Sequence, residues 1–526
     1  MSANRPPSSE TTQMDHSTVT TSRRTAVTIL VSTGVFMASL DMFIVNIAFP
    51  SIQADFPASS AGGLSWVLSA YSIVFAAALV PAGRWFDRAG RKRGFLLGVG
   101  VFGLGSALCA AAPTLGILVG ARVFQALGAA LLMPTSLGLL LPVYPPERRA
   151  AAVALWSAVG GVAAAAGPPL GGLLVELSWR WVFVVNVPIA LAAIYVGRRL
   201  LHEVRDPEPG PRPELLGALQ LVAAIGLLTW AIVEAPVHGW LSTRTLGVAA
   251  ISGFVLWRFA VRSKSAAAPV VPPAVVARPA FAIAAASSLL FSVAFSAMLL
   301  LGVLMLTQLW GYSTLAAGLA LAPGPATAAA VASRGGPLVA RFGARGVAVT
   351  GTAVFTVAGL LGGSAIGASP AYFGTLLPIV LLFGLGSGLV FPSLANAAFT
   401  GLPPALLSTG IAVFNVSRQV GAALGAALLI AVFGVPDAPL ELLDAVHRGY
   451  ALQTAAAALA FVVACRIPDG RTARAADVAA RPLEQTPNGF QPRRATSTVP
   501  DAQAIAAARA EIAEKGARAA LSGGLR

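Results

Sequence analysis

The stretch Gly83-Arg84-Trp85-Phe86-Asp87-Arg88-Ala89-Gly90-Arg91 returns later in the chain as Gly336-Pro337-Leu338-Val339-Ala340-Arg341-Phe342-Gly343-Ala344-Arg345. Both copies read Gly-x-x-x-x-Arg-x-Gly, and both follow an apolar run of membrane-crossing length. Positions 83 and 336 lie 253 residues apart, which divides the chain into two like halves with an inserted piece between them. Parallel repeats of this kind belong to transporters, with the substrate site between the halves near mid-membrane.

Composition agrees. Of 526 residues, 56% are hydrophobic and 11% charged, and the mean hydropathy is +0.77, which excludes a soluble protein of this size. Fourteen apolar runs are long enough to span a bilayer: 26–49, 64–83, 95–113, 115–141, 151–175, 181–200, 214–234, 245–261, 280–307, 312–333, 346–366, 371–399, 405–433 and 450–466. All are expected to be helices, because open strands leave backbone groups unpaired in lipid and no run alternates as a barrel strand does. Span 1 is too long for a signal peptide's apolar core and carries an acid, so it is expected to be retained.

The net charge of +15 could suggest a nucleic-acid binder, but the basic residues sit in short loops and the C-terminal tail. With the N-terminus in the cytoplasm, 31 of the 36 Lys and Arg residues fall in cytoplasmic segments, as the positive-inside rule demands. No nucleic-acid partner is expected. The expected organisation is a cytoplasmic tail (1–25), a six-helix bundle (26–203), two extra helices (214–262), a second six-helix bundle (279–467) and a largely disordered cytoplasmic tail (468–526).

Inside span 1, Leu40-Asp41-Met42-Phe43-Ile44-Val45-Asn46-Ile47-Ala48-Phe49-Pro50 places a lone carboxylate in the apolar run 26–50. An acid at that depth costs several kcal/mol unless paired, hydrated or protonated, so Asp41 is a candidate proton site. A permanently paired structural acid is the other reading. The four histidines are scattered, no Cys/His metal spacing exists and no Walker-type loop is present, so no metal, cofactor or enzyme chemistry is expected. Cys109 and Cys465 lie too far apart on this topology to bridge.

Over 26–467 the chain resembles the major facilitator superfamily, in particular its fourteen-span drug:proton antiporter branch. The loop quoted first is similar to the superfamily signature Gly-x-Leu-Ala-Asp-Arg-x-Gly-Arg-Lys through Gly83, Asp87, Arg88, Gly90, Arg91 and Lys92, with Trp85 and Phe86 in place of Leu and Ala. The resemblance implies a cytoplasmic latch; as topology determinants alone, the basic residues would serve only the positive-inside rule. The second copy has Ala340 where the acid would be.

The span 1 segment resembles the branch's Leu-Asp-x-Thr-Ile-Val-Asn-x-Ala-Leu-Pro motif, with Phe43 replacing Thr. In span 4, Arg122-Val123-Phe124-Gln125-Ala126-Leu127-Gly128 is similar to Arg-x-x-Gln-Gly-x-Gly, in which the resemblance links the arginine to proton transfer; a structural pairing role is the alternative. In span 5, Gly167-Pro168-Pro169-Leu170-Gly171-Gly172 resembles the antiporter signature Gly-Pro-x-x-Gly-Gly, implying a hinge or seal built on Gly167, Pro168, Gly171 and Gly172. The run Trp179–Pro188 resembles a further family segment and reads as interfacial architecture.

The expected function is proton-coupled export of a small amphipathic drug or antibiotic by alternating access, from a monomer in the cell membrane. The scarcity of buried acids favours neutral or singly charged substrates. Gln125, Gln308, Asn396, Asn415 and Gln419 are candidate substrate contacts, or equally interhelical hydrogen bonds. Proton-coupled uptake and a receptor signalling through the tail are the competing readings.

Overall fold

The computed structural model describes residues 21–57, 59–206, 214–266, 269–434, 436 and 438–468, so expectations for both tails beyond these limits lie outside the described residues. Among the described residues every regular element is helical. The first six crossings are α1 (Thr21–Asp55), α2 (Ala61–Ala89), α3 (Arg91–Ala110), α4 (Leu115–Leu140), α5 (Arg149–Leu177) and a broken sixth made of α6 (Trp181–Val184) and α7 (Asn186–Leu200). Next come α8 (Leu215–His238), α9 (Thr243–Ser265) and the short α10 (Pro273–Val276).

The last six crossings begin with α11 (Pro279–Leu304), which a π-helical turn extends to Leu309. A broken second crossing, α12 (Thr314–Leu321) and α13 (Pro323–Ala332), follows. They end with α14 (Gly335–Ala365), α15 (Leu377–Phe399), α16 (Pro404–Phe433) and α17 (Pro439–Ala464).

Thirteen helical segments among the described residues are long and apolar enough to cross a membrane. The fourteenth expected crossing is α17, whose first half carries Glu441, Asp444, His447 and Arg448 and so dilutes its apolar character. Charge, not length, sets it apart.

Three details differ from the sequence expectation, each through proline or glycine. Pro188 lacks the donor that would carry α6 into α7, and Pro323 interrupts the tenth crossing between α12 and α13. The segment 84–93, expected as a loop, is helical except at Gly90. There φ is 115°, a backbone conformation closed to ordinary side chains. Its counterpart in the repeat, Gly343, bends α14 with φ 75°.

Within the first six crossings α3 packs on α4 and α7, and α1 on α4 and α5; within the last six α14 packs on α15 and α17, and α11 on α16 and α17. The two groups meet along two seams, α2 against α16 and α5 against α12 and α13. In the first seam Ser69 Oγ donates to the Ala423 carbonyl at 3.2 Å. α8 leans on both α2 and α16, while α9 packs on α8 and turns Phe254 and Trp257 outward.

In the second seam a Cβ on Gly172 would stand 2.7 Å from the Leu315 Cα, and one on Gly318 would run into the Pro168 carbonyl oxygen. Backbones touch there because neither helix has a side chain to hold them apart. This contact lies toward the end of the bundle that holds Trp179, opposite the end that holds Gly90.

A Cβ on Gly90 would also collide with the Glu203 carboxylate, whereas one on Gly343 meets open space. Gly90→Ala is therefore expected to lose about 1–3 kcal/mol of stability, and Gly343→Ala less, read as melting temperatures of the purified protein in lipid nanodiscs. Equal losses would mean that Glu203 gives way freely.

Candidate functional site

Thr114 starts α4 by accepting from the Ile117 backbone amide at 3.4 Å, and two to three turns on Arg122 and Gln125 lie on the helix face toward α1. There Arg122 Nη1 donates to Asp41 Oδ2 at 2.5 Å and to Gln125 Oε1 at 2.7 Å, while Gln125 Nε2 donates to Asp41 Oδ1 at 2.9 Å. The three side chains close a ring, and Asp41 and Arg122 are each 1% exposed.

Neighbouring crossings satisfy the rest of the guanidinium. Arg122 Nε donates to the Val67 carbonyl in α2 at 3.1 Å, and its Cζ lies 4.1 Å from the centre of the Tyr71 ring and 5.7 Å from that of Phe183. A cation between ring faces in a dry site is held more strongly than at a surface. Behind Gln125, Ser106 Oγ accepts from Gln125 Nε2 at 3.3 Å and from Asn186 Nδ2 at 3.1 Å, and donates to the Phe183 carbonyl at 2.9 Å. Five of the first six crossings thus converge on one ion pair.

The sequence expectation named Asp41 and Arg122 as separate proton-coupling candidates, and the structure pairs them; Gln125, named as a candidate substrate contact or an interhelical hydrogen bond, makes the latter to Asp41. Fully buried, it orients the carboxylate instead of offering itself to a substrate. Tyr71, Ser106 and Asn186 were not anticipated, and Asn186 lies within the run read as interfacial. In that run Trp179 is buried, its Nε1 donating to Asp55 Oδ2 at 2.7 Å, and Arg180 pairs with the same oxygen at 2.7 Å. The remaining amides separate: Gln308 and Asn396 are exposed at opposite ends of the bundle, Asn415 Nδ2 is spent on the Ile411 carbonyl at 2.9 Å, and Gln419 is buried.

The glycine-arginine segment forms a second cluster. Arg91 Nε donates to Asp87 Oδ1 at 2.9 Å and Nη1 to the Gly138 carbonyl at 3.2 Å, tying the α2–α3 turn to α4. The chain leaving α7 then straps the turn. Glu203 Oε1 accepts from the Lys92 amide at 2.9 Å, the Val204 carbonyl from the Arg91 amide at 2.9 Å, and the Asp87 carbonyl from the Asp206 amide at 2.8 Å. Lys92 Nζ reaches the Arg198 carbonyl at 3.0 Å, Arg88 is half-buried, and Gly83 lies under Pro134. Phe86, an unusual residue for the motif, fits because Gly94 opposite it has no side chain.

In α5, Gly167 faces Phe43, Gly171 faces Ile44 and Ile47, and Gly172 faces α12, while the helix stays continuous through Pro168 and Pro169.

Removing one partner of a buried pair strands the other charge, at about 3–5 kcal/mol. Asp41→Ala and Arg122→Ala should each destabilise the protein on that scale and the double variant by clearly less than their sum, measured by thermal unfolding in nanodiscs. Additive losses would show that the pair is not the unit.

The Major Facilitator Superfamily model matches residues 31–426. The chain is 34% identical to the tetracenomycin C resistance and export protein of Streptomyces glaucescens over 400 residues, covering 76% of this chain and 74% of that protein. It is 33% identical to the methylenomycin A resistance protein of Bacillus subtilis over 414 residues, covering 78% and 87%. A solved structure of a bacterial homologue of the human peptide transporters PepT1 and PepT2 superposes with a TM-score of 0.58 at 17% identity, covering 86% of this chain and 99% of that one. Its likeness concerns the fold. With the family model spanning most of the helical bundle and relatives matched along most of their length, the chain belongs to the major facilitator superfamily.

Proposed function

We propose that the protein exports small amphipathic compounds, drugs or antibiotics among them, in exchange for protons by alternating access, as a monomer in the cell membrane with the Gly90 end and both termini in the cytoplasm. The observation that carries this reading is the buried ring of Asp41, Arg122 and Gln125. The names of the resistance and export relatives support the direction of transport, and the concentration of Lys and Arg in the proposed cytoplasmic segments supports the orientation.

The geometry supplies a reason for coupling. Asp41 cannot meet a proton while its side chain is sealed between α1 and α4, so protonation requires the crossings to move apart. Once protonated, Asp41 no longer neutralises Arg122, and a bare guanidinium in a dry site draws in water or shifts its helix. Proton binding and helix rearrangement then favour each other, which is the linkage an antiporter needs. The backbone contact of α5 with α12 serves as the seal at the outer end, and Asp87, Arg91 and the Glu203 strap hold the cytoplasmic turn rigid while the halves rock.

Expression in an efflux-deficient bacterium, with a panel of antibiotics and dyes, tests the function. The wild type should raise the inhibitory concentration of at least one compound, and Asp41→Asn, at matched membrane level, should return it to the empty-vector value. Resistance undiminished in Asp41→Asn would remove Asp41 from coupling, and cellular accumulation of the compound in place of its loss would establish uptake.

A further inference from the structure

We infer that the interior face shared by α1, α11, α15 and α16 binds an aromatic acid: a flat compound carrying one carboxylate or acidic phenolate, with Arg418 as its counter-ion and Phe43, Phe295 and Phe391 as its walls. This names the substrate class of the exporter proposed above and rests on that reading for its transport role.

Arg418 is the midpoint residue of α16, so it lies at mid-depth. Among the described residues it makes no hydrogen bond or salt bridge, and its recorded contact is the face of Phe391, 4.4 Å from ring centre to Cζ. A guanidinium in the span interior is costly without an anion. Among the described residues none pairs with it: Asp41 is closed off by Arg122 and Gln125, and Glu176 and Glu234 sit toward the Trp179 end of their helices. The missing anion is therefore assigned to the cargo.

The chain of rings that starts at Phe391 beside Arg418 fits an aromatic partner. Phe391 meets Phe295 edge to face at 5.3 Å, and Phe295 meets Phe43 edge to face at 6.5 Å, so the group reaches from α15 through α11 to α1 and crosses between the two sets of six crossings. Phe43, Phe295 and Phe391 are only partly buried although each lies well inside its helix, and Phe43 is directed toward the α5 and α11 side by its contacts with Gly167 and Phe295. Phe43 stands where the related motif has Thr, so the motif's departure supplies a ring.

An aromatic ring prefers offset or edge-to-face contact with a further ring, and a guanidinium fork grips a carboxylate through two parallel hydrogen bonds. The same charge repels cations in a low-dielectric space, giving selection against cationic dyes.

The test uses the full chain in nanodiscs and the fluorescence anisotropy of fluorescein, an aromatic carboxylate. Displacement by 2-naphthoate and by its neutral isostere 2-naphthamide reads the contribution of the charge alone. In the wild type 2-naphthoate should displace fluorescein at a concentration roughly tenfold lower or more. Arg418→Gln should bring the two displacers to within about twofold, and Arg418→Lys should keep an intermediate preference.

Melting temperatures of the variants check folding, and the naphthoate-to-naphthamide ratio is insensitive to a uniform loss of active protein. No binding of fluorescein to the wild type, an equal ratio in wild type and Arg418→Gln, or tighter binding of ethidium than of fluorescein would overturn the proposal. Charge-selective binding without fluorescein uptake into inside-out vesicles or extrusion from cells would uphold this site and count against the export reading instead.

Discussion

An ion pair sealed inside a membrane-spanning bundle constrains everything around it. Asp41 and Arg122 are tolerable at that depth only because each finds the other at 2.5 Å and because Gln125, the Val67 carbonyl and the Tyr71 ring occupy the directions left over. The positions of α1, α2 and α4 are fixed by that requirement, and those of α3 and α6–α7 by the Ser106 and Asn186 bonds behind it. A change in the charge of one carboxylate is thus felt by most of the first half of the molecule.

In the proposed cycle such a unit moves against the second half, and small residues form the contacts where sliding and sealing would occur. Gly172 and Gly318 bring α5 and α12 into backbone contact, while Ser69 bridges α2 to α16. At the opposite end the α2–α3 turn is rigid for the converse reason. Arg91, Asp87 and the strap from Val204 to Asp206 give its backbone groups fixed partners, so force applied to α2 passes to α4 and α7. The inserted helix α8 lies on the α2–α16 seam, where it adds surface to the joint.

Much of this was legible in the sequence, because lipid imposes strong rules. Apolar length and the distribution of Arg and Lys marked the crossings, and a carboxylate and an arginine in apolar runs declared themselves by their cost. That Gln125 would meet Asp41 was not readable, because one helix in isolation does not say what its polar face meets, though its i, i+3 spacing from Arg122 was an available signal. Ser106 and Asn186 were illegible as partners since short polar residues also serve inside a single helix. Glu203 gains its role only when the chain folds back over Gly90. The breaks at Val185 and before Pro323 follow from proline chemistry, which sequence shows, but their positions depend on the helices packed alongside.

The central claim is that Asp41 exchanges a proton when the site is occupied by cargo. The direct measurement is proton release from purified, weakly buffered protein on adding a transported compound, followed with a pH-sensitive dye. The account predicts release of about one proton per wild-type molecule and none from Asp41→Asn. Equal release from both proteins would contradict it.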